Sequence, residues 1–426
     1  MEQFKYTISP KKNKGKGCAS LFQTVHICSH TEKNAKKLVR NGKVCYNESM
    51  KLLIPCASGL EQVVKRQLTH LGYPENPAQN GRIAVKGEWE DVAKLNVFLR
   101  SGERVLIELA CFPATNFDEL FDGVYAIPWE EYMTAHSEIR IDGKSYKSAL
   151  GAIKAAGGIV KKAIVKRLSE KLHLRSPRLD ESGERFIVGC SIYEDKATIT
   201  VDTSGEGLHK RGYRTLAYSA PLKETTAAAL LDLTYYHPDK PLADLFCGSG
   251  TIPIEAAMRS LKIAPGLKRN FDFERWKCVK KGILCQTKEE ANDLILRKKL
   301  TIFGGDLSKE AISIAKYHAK RAGVEQAISF RVADVKDFQS SFSYGILLSN
   351  PPYGERLSDI EEAKGLMKAF GTVYSSLDNW SAYFISGLPE AERYFGKRAD
   401  KKKKLWNANI ECAFYSFLGA PPKHNQ

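Results

Sequence analysis

The chain has 426 residues, 43% of them hydrophobic, and a formal net charge of +16. At roughly 100–200 residues per domain, this length predicts two or three domains with buried cores. The absence of any run of about 18 uncharged apolar residues argues against a membrane-spanning helix, and no apolar segment follows the basic N-terminus as in a secretory signal. Ten cysteines without a C-x-x-C pair predict a protein of the reducing cytoplasm without a metal site, and the charge indicates a polyanionic partner.

The charge is unevenly distributed along the chain. Residues 1–49 carry 10 basic and 3 acidic groups without clear periodicity, which predicts a disordered basic extension. Residues 50–139 are acidic, with 8 basic and 13 acidic groups. Their hydrophobic spacing predicts alternating strands and helices at 52–55, 60–71, 83–85, 89–99 and 105–109. This order indicates a small α+β module that is a poor surface for phosphates.

Residues 140–214 are basic, with 16 basic and 9 acidic groups. An apolar stripe predicts a long helix from Ser148 to Leu174, and two alternating runs predict a hairpin at 185–192 and 197–202. The candidate phosphate contacts on and after this helix are Lys154, Lys161, Lys162, Lys166, Arg167, Arg211 and Arg214. A basic helix face is often only a solvated surface, so both interpretations stay open at this point.

From Pro241 onward, short apolar runs alternate with helical segments. The predicted strands are 242–246, 302–304, 328–332, 345–349, 382–386 and 410–418, and the predicted helices are 251–260, 309–322 and 365–377. This alternation is typical of a doubly wound α/β fold with a largely parallel sheet. The segment from about 259 to 300 is too long for one connection, so we predict a partly helical insertion.

A glycine-rich loop, Asp244 to Thr251, follows the first of these strands and begins a helix. Its glycines allow a tight turn and close approach of a ligand, and the helix N-terminus favours a ligand carboxylate. Asp306 and Asp334 end the next two strands, where they are placed to meet a ribose diol and an adenine amino group. A single Asp in such a place is often only a helix cap, but three at one sheet edge favour a nucleoside pocket.

The most specific motif is Asn350-Pro351-Pro352-Tyr353, directly after an apolar strand. Two prolines fix the backbone and present the Asn350 side-chain oxygen and the Pro351 carbonyl as two acceptors at fixed spacing. Two acceptors suit an exocyclic amine, which has two N–H donors, and Tyr353 offers a ring for stacking a planar base. The motif therefore predicts methyl transfer to an amine, with catalysis mainly by orientation.

Four segments in this order carry a resemblance to a known family: 208–214 with 220–225, Asp244–Thr251, Ser349–Gly354, and 401–405 with Asn407 and 410–412. Residues 215–426 resemble class I S-adenosylmethionine-dependent methyltransferases. The chain from residue 50 resembles the THUMP-domain RNA methyltransferases, specifically the bacterial 23S rRNA guanine-N2 methyltransferase family with a single methyltransferase domain. The resemblance implies a ferredoxin-like α+β segment at 50–139 and a THUMP RNA-binding module at 140–205. At 206–426 it implies a Rossmann-like domain with a mostly parallel, seven-stranded sheet.

The resemblance also implies the role of each site residue. S-adenosylmethionine is the expected cofactor, with its ribose at Asp306 and its adenine at Asp334. The residues expected around its methionine end are Thr225, Asp244, Phe246, Gly248, Ser249, Gly250 and Thr251. A guanine of 23S rRNA is expected at Asn350, Pro351, Pro352 and Tyr353 after base flipping, with Asn350 also bordering the cofactor.

Other functions share parts of this pattern. An Asn-Pro-Pro-Tyr turn also serves DNA adenine-N6 and release-factor glutamine methyltransferases, although the basic module at 140–214 fits RNA better. A tRNA guanine-N2 methyltransferase is the closest alternative for the substrate. A non-catalytic, RNA-binding ribosome-assembly factor is the alternative from a different class, and the set Asp244, Asp306, Asp334 and Asn350 argues against it.

Overall fold

The computed structural model describes residues 37–40, 43–46 and 49–420, except 80, 177, 217–221, 355–356 and 408–409. The chain divides into two units, residues 1–48 and 49–426. In the first unit, strands β1 (Lys37–Arg40) and β2 (Lys43–Tyr46) form an antiparallel pair within the predicted basic extension. The rest of the predicted disordered extension, up to residue 48, lies outside the described residues.

A mixed sheet of seven strands organises the first half of the second unit. Its strands are β3 (Met50–Pro55), β4 (Ala78–Gln79), β5 (Arg82–Gly87), β6 (Leu106–Pro113), β7 (Glu138–Tyr146), β8 (Arg185–Tyr193) and β9 (Lys196–Asp202). The spatial order is β4-β5-β3-β6-β9-β8-β7. Because β6 pairs with β9, the α+β module and the basic module share one continuous sheet.

Five helices pack on this sheet. They are α1 (Glu61–His70), α2 (Trp89–Phe98), α3 (Phe117–Tyr125), α4 (Trp129–Tyr132) and α5 (Ile153–Lys171). Helix α5 begins five residues later than the predicted Ser148. The segment before it is held in a turn instead, because the Ala149 N–H donates to Asp195 Oδ1 at 2.7 Å. Asp195 lies in the turn between β8 and β9, so the basic helix is tied to the hairpin.

The second sheet confirms the predicted doubly wound α/β architecture. Its strands are β10 (Leu242–Asp244), β11 (Ile302–Asp306), β12 (Ile328–Val332), β13 (Ile346–Ser349), β14 (Ser381–Ser386), β15 (Lys401–Asn407) and β16 (Ile410–Phe417). The order is β12-β11-β10-β13-β14-β16-β15, with the first five strands parallel and β16 antiparallel to both of its neighbours. The helices of this half are α6 (Glu224–Leu233), α7 (Thr251–Ser260), α8 (Ile283–Asp293), α9 (Lys309–Ala322), α10 (Leu357–Ser376) and α11 (Ala391–Phe395). Among the described helices, none is both long and apolar enough to cross a membrane.

The predicted insertion at 259–300 is partly helical, and it packs into the core of the first half. Phe273 and Trp276 are buried there, and the Trp276 ring stacks on Phe186 of β8 with centroids 4.5 Å apart. Asp272 accepts two hydrogen bonds from the Arg185 guanidinium, at 2.8 and 2.9 Å. Burying large aromatic rings removes much apolar surface from water, so this segment holds the two halves together.

Candidate functional site

Four side chains singled out in the sequence meet at the carboxyl edge of the second sheet. Asp334, Asp306, Asp244 and Asn350 follow or end β12, β11, β10 and β13, which are neighbours in that order. Neighbouring strands lie about 4.8 Å apart, so the four residues line one continuous edge. The chain leaves β10 toward β11 and returns to β13 on the other side, which makes β10 the switch point where such sheets bind ligands.

The loop after β10 has the close-packed backbone that was predicted for it. Gly248 and Gly250 have positive φ angles of 51° and 84°, and Gly250 is the N-cap of α7. A Cβ on Gly250 would lie 2.9 Å from the Cβ of Ala315 and 3.1 Å from the Phe330 ring, so a larger residue would push the loop away from α9. The loop therefore brings the N-terminus of α7 close to the ligand edge of the sheet.

Asp306 and Asp334 both hold backbone groups at this edge. Asp306 accepts the Gly248 N–H through Oδ2 at 2.9 Å and the Ser308 N–H through Oδ1 at 2.9 Å. Asp334 caps a short 3-10 turn by accepting the Lys336 N–H at 3.0 Å. Both side chains stay partly exposed, and each carboxylate oxygen can accept a further hydrogen bond. They act as caps and also keep acceptors available for a ligand.

Asp244 is coupled to the end of β13 through Ser349. The carboxyl group is only 1% exposed, and burial raises its pKa to about 7, although hydrogen bonds from Ser349 and the Phe246 backbone oppose the rise. The Ser349 hydroxyl in turn accepts the Leu245 N–H at 3.1 Å. The residue before Asn350 thus connects the glycine loop to the proline turn. A cationic group bound beside Asp244 would restore its charge.

The proline turn presents an acceptor that has no partner. Asn350 Oδ1 is buried and makes no hydrogen bond within the described part of the chain. A buried acceptor without a partner costs about 1–3 kcal/mol, so this position is arranged for a donor that the ligand brings. Tyr353 is half-buried and its hydroxyl accepts the Asn407 amide N–H at 2.7 Å, while its ring lies against Gly387, where a Cβ would approach to 3.2 Å.

The first residues of α6 and the segment before it reach the same region. Thr225 is buried and its hydroxyl donates to Glu103 Oε1 of the first half at 3.3 Å. Arg214 donates to Glu224 Oε2 at 2.9 Å and to the Thr251 hydroxyl at 3.4 Å. Burial is the main cause that raises the pKa of Glu224 to about 7, against the opposing effect of Arg214.

The two remaining loop residues predicted to bind the cofactor are held by other contacts. Phe246 packs edge-to-face on Phe370 at 5.4 Å between ring centroids. Ser249 is buried and its carbonyl lies 3.2 Å from Nδ1 of His318. These contacts fix the loop on both sides of the sheet.

The predicted RNA contacts divide into three groups. Lys154, Lys162 and Lys166 are exposed on α5, as predicted for a binding face. Lys161 and Arg167 are paired with Glu181 at 2.5 Å and with Glu130 at 2.6 Å. Such pairs weaken a residue as a phosphate contact, because a phosphate must first displace the carboxylate.

Arg211 is a correction to the sequence interpretation, and Arg214 is held by contacts within the protein. Arg211 is 3% exposed, and its guanidinium donates to the Leu208 carbonyl at 2.6 Å, to the Arg100 carbonyl and to Glu255. The prediction that Arg211 contacts RNA is wrong, because the side chain lies inside the protein. Arg214 braces the Glu224 and Thr251 ends of two helices, which gives it a structural role that the sequence did not indicate.

Sequence reasoning missed two contributors to the site. Glu103 reaches Thr225 from the first half, and Asn407 donates to Tyr353 from β15. Asn407 belonged to a recognised motif but had no assigned role, and Glu103 had no local signal at all. No group of three or more His, Cys, Asp or Glu side chains suited to a metal occurs among the described residues.

This donor and acceptor set fits S-adenosylmethionine. The buried carboxyl matches the ammonium group of the cofactor, and the glycine loop at a helix N-terminus matches its carboxylate. The two partly exposed carboxylates match its ribose diol and its adenine amine. The unpartnered oxygen of Asn350 lies at the end of this row, where the acceptor of the methyl group would be held.

Family profiles match three consecutive parts of the chain. An RlmL ferredoxin-like domain matches residues 51–106, a THUMP domain matches 114–202 and an RMKL-like methyltransferase domain matches 211–416. The THUMP match starts well before the residue 140 expected from the sequence. Helices α3 and α4 and strand β7, which the sequence interpretation did not predict, fall within it.

Curated relatives agree with these profiles. A Bacillus subtilis protein named "Putative RNA methyltransferase YpsC" is 38% identical over 86% of this chain and 95% of its own length. The ribosomal RNA large subunit methyltransferase K/L of Syntrophotalea carbinolica is 33% identical over 86% of this chain. The match spans 53% of that relative, so the chain covers about half the length of the K/L proteins.

Solved structures with the same fold carry different descriptions. SMU.472, described as "a putative methyltransferase complexed with SAH", is 38% identical with a TM-score of 0.83, over 88% of this chain and 100% of that chain. A Listeria monocytogenes protein described as a predicted N6-adenine-specific DNA methylase is 43% identical with a TM-score of 0.83, over 88% and 97% of the two chains. SAH is what remains of S-adenosylmethionine after methyl transfer, in agreement with the expected cofactor. The chain belongs to the THUMP-domain, S-adenosylmethionine-dependent RNA methyltransferase family that includes the ribosomal RNA large subunit methyltransferases K/L.

Proposed function

We propose that this protein transfers a methyl group to the exocyclic N2 of a guanine in 23S rRNA, in the cytoplasm, after flipping the base into the Asn350–Tyr353 turn. The observation that supports this most directly is the buried Asn350 Oδ1 without a hydrogen-bond partner among the described residues. An exocyclic amine brings two N–H donors, one for this oxygen and one for the Pro351 carbonyl.

The turn works mainly by orientation. With both N–H groups held by Asn350 and Pro351, the lone pair of the guanine N2 points out of the base plane. S-adenosylmethionine held by the Asp244–Thr251 loop, Asp306 and Asp334 would supply an electrophilic methyl group to this lone pair, with its S–C bond breaking as the N–C bond forms. The proton that N2 then loses passes to water, so no strong base is required. Tyr353, held by Asn407 at 2.7 Å, gives the base a ring of fixed position to stack on.

An RNA substrate is favoured over DNA by the rest of the chain. The same turn would also accept an adenine amine, and the Listeria relative bears that description. A THUMP match over residues 114–202 and the exposed lysines of α5 support an RNA substrate, and the names of the K/L relatives support 23S rRNA. A tRNA guanine remains the second candidate, because the turn itself reads only the amine.

Asn350→Ala tests the mechanism. Removing one preorganised contact should lower the methylation rate by about 10²–10³-fold, while SAH affinity, measured calorimetrically, stays within a few-fold of wild type. Asn292→Ala, an exposed asparagine at the end of α8, is the matched control and should methylate normally. Near-normal turnover by Asn350→Ala would refute the mechanism.

The modified base is identified separately. The 23S rRNA and tRNA from cells lacking the protein are digested and compared with wild type by mass spectrometry. Loss of one N2-methylguanine from 23S rRNA is the expected result. Loss of it from tRNA, or of an N6-methyladenine, would replace the proposed substrate.

A further inference from the structure

A cleft of about 600 Å³ opens between the first sheet and strand β15. Residues from β5, β7, β8 and β9 line one side of it, and Trp406 of β15 and Lys223 before α6 line the other. The loop after β3 lies against β15, since a Cβ on Gly59 would come 2.8 Å from the Lys404 carbonyl oxygen. The cleft therefore has walls from both halves of the chain.

Trp406 is an exposed aromatic ring that precedes Asn407 on β15, and the Lys404 ammonium lies 5.6 Å from its ring centroid. It is 41% exposed, although burying such a side chain would be favourable. On β15 successive side chains alternate, so Leu405 and Asn407 face the core and Tyr353 while Lys404 and Trp406 face away. The Trp406 ring lies one residue from the side chain that holds Tyr353.

The cleft also contains a partly buried cation without a counter-ion. The Arg82 side chain is half-buried, its guanidinium makes no hydrogen bond or ion pair with any described residue, and burial lowers the pKa of that guanidinium. The carboxylate that opposes this shift, Glu108, is already paired with Lys51 at 2.9 Å. A desolvated cation of this kind is arranged for an anion that comes from outside the chain.

The other charges of the cleft leave a small positive excess. Arg104 is paired with Asp202, and Lys223 lies 3.5 Å from Glu103. Two cations, Arg82 and Lys144, and one carboxylate, Asp142, line the cleft without an ion pair among the described residues. A flat ring for stacking and unpaired cations for phosphate are the two features that single-stranded nucleic acid requires.

We propose that this cleft binds a nucleotide next to the target guanine, with its base stacked on Trp406 and its phosphate at Arg82. The inference rests on the proposed function, because it places this nucleotide on the RNA strand whose guanine enters the Asn350–Tyr353 turn. The stacked neighbour holds the strand while the target base is extruded. It also makes Trp406 a residue that positions the substrate, outside the reacting atoms.

Kinetics of Trp406→Ala and Arg82→Gln test this cleft, with 23S rRNA transcribed in vitro as substrate. Each should raise the KM for RNA about 5- to 100-fold with a smaller change in kcat, the range expected when a base–aromatic or phosphate contact is lost. Trp406→Phe should restore most of the affinity, because phenylalanine keeps a ring. Tyr235→Ala, at a tyrosine that is 59% exposed, and Arg297→Gln, at an exposed arginine outside the cleft, are the matched controls.

Fluorescence measures binding without turnover. Trp129, Trp276 and Trp380 are buried and Trp89 packs against Trp276, so quenching by a guanine-containing RNA hexanucleotide reports mainly Trp406. Asn350→Ala should show this quenching and Asn350→Ala/Trp406→Phe should lose most of it.

The two proposals fail separately. If wild type methylates RNA but shows no quenching, and Trp406→Ala and Arg82→Gln keep the wild-type KM, the proposed role of the cleft is refuted and the proposed function stands. If wild type methylates no guanine in RNA, the proposed function is refuted. Quenching by the RNA would then still support RNA binding in the cleft, and its absence would refute that binding as well.

Discussion

Replacing the buried Arg211 tests whether this residue is structural rather than part of the RNA surface. In Arg211→Met, the Leu208 and Arg100 carbonyls lose their donor, and the Tyr213 hydroxyl at 3.2 Å is the one hydrogen-bond donor to Glu255 that remains among the described residues. Removing one partner of a buried ion pair typically costs 3–5 kcal/mol. The Arg211–Glu255 distance of 3.4 Å is long for such a pair, so we expect the lower end, about 3 kcal/mol.

Urea denaturation followed by circular dichroism measures this loss, and RNA affinity is measured below the unfolding transition. The folded Arg211→Met protein should bind RNA as wild type does, because the side chain is only 3% exposed. Arg211→Met/Glu255→Gln removes the stranded charge and should recover part of the lost stability. Unchanged stability together with weaker RNA binding would show that the side chain reaches the surface, and it would refute the reasoning.

Two further predictions concern pH and the basic helix. Burial raises the pKa of Asp244 from 3.8 to about 7. The contribution of the protonated carboxyl to the free energy of unfolding is therefore fully present below pH 4 and is lost as the pH rises through about 7. The free energy of unfolding of the ligand-free protein should therefore fall between pH 5 and 8 by a few kcal/mol more than that of Asp244→Asn. The same pH dependence of the free energy of unfolding in both proteins would contradict this. Charge reversal at Lys154, Lys162 and Lys166 should weaken RNA binding and reduce the slope of log K against log salt by about 0.7–0.9 per lost phosphate contact. Reversal of the exposed Lys280 and Lys281 is the control, and equal effects of the two sets would remove the special role of α5.

The second half could be predicted closely because its signals are local. Buried parallel strands appear as continuous apolar runs, so the limits of β12 agree with the prediction and those of β11 and β13 differ by no more than two residues. Once the strand order is known, parallel strands bring Asp306, Asp334 and Asn350 to one edge without further information. The proline turn and glycine loop were therefore visible in the sequence.

The first half was less predictable because its important pairings are distant in the chain. No local pattern shows that β6 pairs with β9, about 90 residues later, or that Trp276 of the insertion stacks on Phe186. The same difficulty explains the error at Arg211. A basic side chain looks like a surface residue in the sequence, and only the fold places Glu255, 44 positions away, beside it.

These distant contacts also determine how the substrate site is assembled. Glu103 of the first half holds Thr225 beside the glycine loop, the Gly59 loop lies against β15, and the insertion buries Trp276 in the core of the first half. Because each contact is buried or closely packed, the first sheet keeps a fixed distance from Asn350. A chain with the methyltransferase half alone would still present the proline turn, but it would lack the wall that carries Arg82. If the cleft binds RNA as proposed, loss of Arg82 weakens RNA binding while the Asn350–Tyr353 turn is unchanged, so the KM for RNA and the rate of methyl transfer should change separately.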